Sequence, residues 1–232
     1  MNANDIVVRC TNGIKEAMIE LAPAFERAQG VKLAVRYDST KAIADDINAG
    51  ASADLVILTA EAIDGLMQQG RVKAGSRVDL ARSGIGVAVR KGAPRPDIST
   101  PEAFKRALLA ARKVSYSKIG ASGIYSANVL IPRLGIAEEM KSRTIIPEPG
   151  TPVGTLVASG QADIGLQQIS ELMPVPGIDI VGPLPGDLQK MTVFSAGLCA
   201  NARSPDAANA LAAFLAAPAA LPVIKKHGLE AA

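Results

Sequence analysis

The sequence predicts an α/β fold of two lobes, each a sheet flanked by helices, and three observations carry that expectation. Hydrophobic residues make up 48% of the chain but aromatic residues only 3%. The core must therefore be built from Ala, Val, Leu and Ile, as in sheets covered by helices. A strand, turn and helix succession occurs three times before residue 71. Two further extended segments, residues 83–89 and 191–199, bracket a second alternating set, so the chain should leave the first lobe once and return to it once. This gives a discontinuous first lobe of residues 1–83 and 196–232, with residues 84–195 inserted as the second. A chain of 232 residues has room for a core in each.

Residues 6–10 are a short apolar run that ends in Thr11-Asn12-Gly13. Ile14, Met18, Leu21, Ala22 and Phe25 then recur at helical spacing up to Gly30. Residues 31–37 alternate as a strand, Asp38-Ser39-Thr40 turns the chain, and Ala42, Ile43 and Ile47 mark a helix that Gly50 stops. Residues 54–58 and 61–69 repeat the unit, with Gly70 as the stop. Successive βα units call for parallel strands joined by right-handed crossovers. After the extended residues 83–89, Lys91-Gly92-Ala93-Pro94-Arg95-Pro96 breaks the pattern. The second lobe then reads as helix 101–111, strand 113–116, helix 123–134, strand 144–147, helix 152–159 and strand 162–167. Residues 191–199 return as a strand, and helices 205–216 and 219–227 close the chain.

Several function classes are excluded by composition. Lys and Arg number 25 against 22 Asp and Glu, a net charge of +3, too small and too scattered to hold nucleic acid. Cys10 and Cys199 lack C-x-x-C or Cys/His spacing, so free buried thiols are expected, with no metal and no cofactor. No run approaches the roughly 18 apolar residues of a membrane span. Residues 1–5 carry neither a basic nor an apolar leader region, which predicts a cytoplasmic protein unless a signal peptide has been removed, and then a periplasmic one. The protein is expected to be a monomer. Lone His227 lies beside Gly228 at the end of the last helix, where a cation suits the dipole, and reads as structural.

Open α/β sheets bind ligands beyond the carboxyl ends of their strands. Four turns fall there: Thr11-Asn12-Gly13 and Asp38-Ser39-Thr40 from the first lobe, Ala121-Ser122-Gly123 and Gly150-Thr151-Pro152 from the second. Each brings a hydroxyl or a small residue to the start of a helix, where unpaired N–H groups and the positive dipole end favour an anion. Thr151 as N-cap and Pro152 as first helical residue fit the usual preferences. One such turn is an ordinary cap. Four of them after successive strands suggest a small anionic ligand.

Val8-Arg9-Cys10-Thr11-Asn12-Gly13-Ile14-Lys15-Glu16-Ala17-Met18, Ile47-Asn48-Ala49-Gly50-Ala51-Ser52-Ala53-Asp54-Leu55, Ala121-Ser122-Gly123-Ile124-Tyr125 and Lys225-Lys226-His227-Gly228-Leu229 resemble, in matching order, the periplasmic molybdate-binding proteins of ABC transporters. The resemblance implies the type II periplasmic-binding-protein fold: two mixed sheets flanked by helices and joined by two crossing strands. It also implies an oxyanion site made of hydroxyls and backbone N–H groups, and an ABC permease as partner. In this chain the family's first-turn serine falls on Gly13 and its second-turn serine on Thr40. An alanine of the family falls on Ser122, a valine at a helix start on Gly150, and the ligand-binding tyrosine on Gln168. Lys41 stands where the family has a small hydroxyl residue, and Arg9 where it is apolar.

The candidate ligand residues are therefore Arg9, Asn12, Gly13, Ser39, Thr40, Lys41, Ser122, Gly123, Tyr125, Gly150, Thr151 and Gln168. Arg9, at the end of a buried strand, needs a partner. Two are available: an internal acid such as Asp38, or a ligand carboxylate held by its fork with Lys41 as a second charge. Tyr125 is open to core packing as well as to ligand contact, and Lys118 to solvent as well as to the cleft. The expected function is a solute-binding protein that closes around a small anion, either an oxyanion such as molybdate or an organic di- or tricarboxylate. The alternative is an enzyme, since some proteins resembling this family are aconitate isomerases. Arg9 and Lys41 would then clamp the substrate while Lys118 or a tyrosine moves the proton. No histidine or perturbed carboxylate is evident in the four turns.

Overall fold

A computed structural model describes residues 5–148 and 150–232. The chain forms two compact units, one of the residues up to Arg82 together with Thr192–Ala232, the other of Ser83–Met191.

The first unit opens with β1 (Asp5–Thr11), a single 3-10 turn (Asn12–Ile14) and α1 (Lys15–Gln29). Period-two alternation sends Ile6, Val8 and Cys10 to one face of β1, where they pack with Ala17, Met18, Leu21 and Phe25 of α1. Gly30 ends α1 in the left-handed region, at φ 67°, which Gly enters without a Cβ penalty. β2 (Lys32–Asp38), α2 (Thr40–Asn48), β3 (Leu55–Thr59), α3 (Ala60–Gln68) and β4 (Val78–Ser83) follow.

The second unit runs through β5 (Ile85–Arg90), α4 (Pro101–Ala110), β6 (Val114–Tyr116) and α5 (Ala121–Tyr125). A π-helical turn over Ser126–Leu130 joins α5 to α6 (Ile131–Arg133). Pro132 has no N–H for an ordinary helical bond, and the widened turn just before it absorbs that loss. Next come α7 (Ala137–Arg143), β7 (Thr144–Ile145), α8 (Val153–Ala158), β8 (Ile164–Gln168), α9 (Ile169–Leu172) and β9 (Ile178–Pro183). The chain re-enters the first unit as β10 (Thr192–Leu198), α10 (Pro205–Ala216) and α11 (Leu221–Lys226).

Among the described residues the sheets have the orders β2-β1-β3-β10-β4 and β7-β6-β8-β5-β9. β1 is parallel to β2 and β3, and β6 to β7 and β8. β10 runs antiparallel to β3, and β5 antiparallel to β8 and β9. Both sheets are thus mixed. The antiparallel member is in each case the strand that enters the unit away from a βα crossover.

Asp54 fastens the two chain segments of the first unit. Only 2% exposed, it accepts from Val7 N at 2.8 Å, from Arg203 N at 2.6 Å and from Ser204 N at 3.0 Å. The last two belong to the N-cap of α10 and the residue before it, and Ser204 itself makes no side-chain cap. Glu20 ties α1 to α11 by meeting Lys226 at 2.8 Å and His227 at 2.8 Å, so His227 has the structural place its position suggested.

The structure corrects the expected element list in six places. β4, α7, α9 and β9 were not anticipated; α7 and α9 are too short to show a period. β10 pairs with β3 from Phe194 onward, which moves the return to the first unit ahead of residue 196. α8 begins at Val153 with Pro152 as N-cap, so Thr151 is not the cap. No single helix among the described residues is long and apolar enough to cross a membrane.

Candidate functional site

In the first unit, parallel pairing brings the carboxyl ends of β1, β2 and β3 to one edge. Thr11 is buried there, and its hydroxyl accepts from Thr40 Oγ1 at 3.0 Å, joining two of the expected turns. Ser39 caps α2 by accepting from Ala42 N at 3.2 Å, and Thr59 caps α3 by accepting from Ala62 N at 3.4 Å. Asn12 is half-buried in the 3-10 turn. Thr11 and Thr59 were not among the candidates, although each follows a buried strand and precedes a helix, which was the signal used for the others.

Gly13 is buried against Phe194: a Cβ on it would lie 2.3 Å from the ring's Cζ. The phenyl ring occupies the space that a side chain needs. Gly13→Ser, which restores the family's first-turn hydroxyl, is therefore expected to lower stability by about 1–3 kcal/mol through overpacking. Thermal denaturation would measure it, and Tm equal to wild type would mean that Phe194 moves aside freely.

Arg9 is internally paired. Its Nη1 lies 2.9 Å from Asp46 Oδ2, with the side chain 15% exposed. Asp46 on α2, rather than Asp38, is the partner, because Arg9 shares the β1 face that α2 covers, whereas Asp38 accepts from Ser39 N at 2.7 Å. Of the two partners open to Arg9, an internal acid is the one present, and it is Asp46 in place of Asp38. Lys41 Nζ meets Asp45 at 2.7 Å as an exposed i,i+4 pair. Such a pair is worth only about 0.3–0.5 kcal/mol, so Lys41 is readily released.

In the second unit, β6 and β8 run in parallel with Tyr116 opposite Leu166, and their carboxyl ends are level. Ser117 Oγ accepts from Ile119 N at 3.3 Å and Gly120 N at 3.1 Å, which shapes the turn into α5. Ser122 is buried, and its carbonyl accepts from Ser126 Oγ at 2.7 Å. A Cβ on Gly123 would lie 1.7 Å from the Ser117 carbonyl oxygen. Tyr125 donates its hydroxyl to Leu188 O at 3.0 Å and packs on the core of this unit, so its phenol is engaged internally. Lys118 is exposed. Gly150 is exposed at φ 83°, and Thr151 N donates to Glu148 O at 2.9 Å. Gln168 is buried as the last residue of β8 and the N-cap of α9.

The second unit also holds an ionisable group that the sequence did not single out. Val153 N donates to Gln167 Oε1 at 3.1 Å, and the Gln167 side chain is hydrogen-bonded to the carboxyl of Glu171. With its oxygen taken by Val153, Gln167 meets Glu171 through its NH2 group. Desolvation pushes the half-buried Glu171 carboxyl up to about 7, against a smaller lowering by Gln167. This carboxyl lies outside the four turns that the sequence marks, on the helix that follows β8. Glu171 comes three residues after the strand end, and nothing in residue spacing registers desolvation.

Both cysteines are free and buried. Cys10 and Cys199 lie in separate clusters of the first unit. Burial raises the Cys10 thiol and pushes that of Cys199 up to about 12, so neither presents a thiolate near neutral pH.

Comparison with known proteins places this architecture. Residues 6–230 match the family described as bacterial extracellular solute-binding protein. The chain belongs to that family. As a solute-binding protein it is 42% identical, over 97% of its own length and 87% of the other's, to a protein named aconitate isomerase from Pseudomonas sp. Among solved structures, the periplasmic molybdate-binding protein of Azotobacter vinelandii superposes with a TM-score of 0.80 at 19% identity, covering 97% of this chain and 98% of that one. The sulfate-binding protein SubI from Mycobacterium tuberculosis H37Rv gives a TM-score of 0.78 at 18% identity, covering 97% and 86%. At those identities the likeness is one of fold. The solute-binding protein has the type II periplasmic-binding-protein fold of the molybdate-binding group, with its two mixed sheets flanked by helices.

Proposed function

We propose that this solute-binding protein binds a small organic tricarboxylate and interconverts cis- and trans-aconitate. The observation that carries the reading is the 42% identity to an aconitate isomerase over nearly the whole of both chains. The site residues favour it over a compact oxyanion. Phe194 takes the space of a first-turn hydroxyl at Gly13, and a glutamine, Gln168, stands where the molybdate-binding proteins carry their tyrosine.

The chemistry is an allylic proton shift. A base removes one proton from the methylene carbon, which is acidified by the adjacent double bond and its carboxylates. The electron pair delocalises over three carbons, and a proton returns to the former vinyl carbon. One C–H bond breaks and one forms, the double bond moves by one position, and no oxidant or net proton is consumed. The protein must hold the carboxylates and place one acid–base group by the allyl carbons. The first unit offers hydroxyls at Thr11, Ser39, Thr40 and Thr59, and the ammonium of Lys41 with only its exposed pair to break. The second unit offers Ser122, Gln168 and Thr151. We place the protein in the periplasm, in keeping with a family of extracellular solute-binding proteins.

Proton NMR of cis-aconitate incubated with the protein tests the proposal: trans-aconitate vinyl signals should grow in proportion to protein concentration. Absence of conversion would refute it. A second reading, a transport receptor partnered by an ABC permease, is favoured by the fold shared with the molybdate- and sulfate-binding proteins. It predicts that molybdate or a carboxylate raises Tm without turnover, by about 2.7 kcal/mol of added stability at a hundredfold excess over Kd.

A further inference from the structure

We propose that Glu171 is the catalytic acid–base of this isomerisation, accepting the methylene proton and delivering it to the vinyl carbon, with Gln167 as the residue that positions it; this rests on the isomerase reading above. Neither residue belongs to the turns that the sequence marks, and three structural facts bring them forward.

The first is place. α9 starts directly at the carboxyl end of β8, the edge at which open α/β sheets present ligand-contacting groups. There Glu171 is the ionisable side chain of a four-residue helix that also bears the buried Gln168 as N-cap.

The second is orientation. Gln167 cannot flip, because its oxygen receives the Val153 N–H and an NH2 group there would face a donor. The amide must therefore donate to Glu171, and it can do so to the carboxylate and to the protonated carboxyl's carbonyl oxygen alike. A shuttle needs a holder that serves both protonation states.

The third is surroundings. α9 packs against β5, β8 and β9. Among the described residues of those strands the charged side chains are Arg90 and Asp179. Arg90 pairs with Ile178 and Asp179 with Val89, whereas Ile85 pairs with Gln168, so both charges stand at the end of the sheet remote from Glu171. α8, which begins at the Val153 that holds Gln167, carries no charge at all. Glu171 therefore has no counter-ion from these elements, and desolvation sets its affinity for the proton. Among the described carboxyl groups with a displaced pKa, Glu20, Glu26, Asp97 and Asp163 are displaced downward and Glu171 upward, to about 7. A group with pKa near the operating pH is both a competent base in one half-reaction and a competent acid in the next.

The experiment compares wild type with Glu171→Gln in the aconitate NMR assay across pH 5 to 9, on full-length protein whose Tm has been measured. Wild-type kcat/KM should climb as Glu171 deprotonates and level off above about 7. Glu171→Gln keeps an acceptor for the Gln167 NH2. It should fold with unchanged Tm, retain KM, and lose about a hundredfold to ten-thousandfold in kcat, the usual worth of a positioned acid–base group. Gln167→Leu removes the contact that lowers the Glu171 pKa and should move the pH limb upward, which a purely structural glutamine would not do. If Glu171→Gln does not fold, Glu171→Asp retains the carboxyl and should show reduced kcat with the limb preserved. A Glu171→Gln protein of near wild-type kcat, or a pH limb that Gln167→Leu does not shift, overturns the assignment alone. A wild type that binds aconitate without converting it overturns both this inference and the isomerase reading.

Discussion

Asp54→Ala is expected to cost the first unit about 3–6 kcal/mol, a large part of the roughly 5–15 kcal/mol by which a domain is stable. The aspartate is almost completely buried and accepts from three backbone N–H groups, those of Val7, Arg203 and Ser204. Alanine leaves all three without that acceptor, at about 1–3 kcal/mol each once desolvated. Two of the donors belong to the N-cap of α10 and the residue before it, so the favourable place of the carboxylate at the positive end of that helix is lost as well. Asp54→Asn should fall in between, because an amide offers one accepting oxygen and would set its NH2 against a donor. Urea denaturation reads the effect as a fall in midpoint at unchanged slope. A loss below about 1 kcal/mol would mean that water replaces the carboxylate, against the usual cost of a lost charged acceptor.

The fold was legible wherever burial has a period. α1 shows four buried residues, Ala17, Met18, Leu21 and Phe25, on one stripe, and β3 is buried throughout, as an apolar run between two turns implies. β9 was hidden because its first five residues are half-buried without alternation and the sixth is an exposed proline. α9 was hidden because one turn of helix cannot display amphipathicity. Asp54 could be read as a motif residue but not as a clamp, because two of its donors lie about 150 residues further along the chain.

The candidate site was legible as a set of places rather than as a set of contacts. Turns after parallel strands are visible in sequence, and Thr40 does reach the first turn, through Thr11. Charge was legible as residue type but not as pairing. Arg9 and Lys41 stood out because they depart from the molybdate-binding pattern, yet acids at positions 46 and 45 of the same helix meet them. A pairing between β1 and α2 depends on which sheet face Arg9 occupies. Glu171 was missed for the opposite reason: its chemistry comes from what surrounds it, and an isolated glutamate letter carries none of that information.

One chemical change made at two glycines should have opposite effects. Gly65 lies inside α3 with nothing within 4 Å of a Cβ built on it. Gly65→Ala should therefore raise stability by about 0.5–1 kcal/mol, the entropy that glycine forfeits in a helix. Gly123 lies inside α5, so helix propensity alone predicts the same gain. Here a Cβ would stand 1.7 Å from the Ser117 carbonyl oxygen and 2.6 Å from its carbon, and those atoms are backbone, which cannot rotate away. The Ser117 turn would have to move, taking with it the hydroxyl that accepts from Ile119 N and Gly120 N. The expected cost is about 3 kcal/mol, the upper part of the overpacking range, and on the proposed function aconitate binding should be lost as well, because Ser122 is displaced with the turn. Thermal denaturation of both variants, with and without aconitate, checks the pair. Equal and positive shifts for the two would show that the approach of α5 to the Ser117 loop is not the constraint that makes residue 123 a glycine.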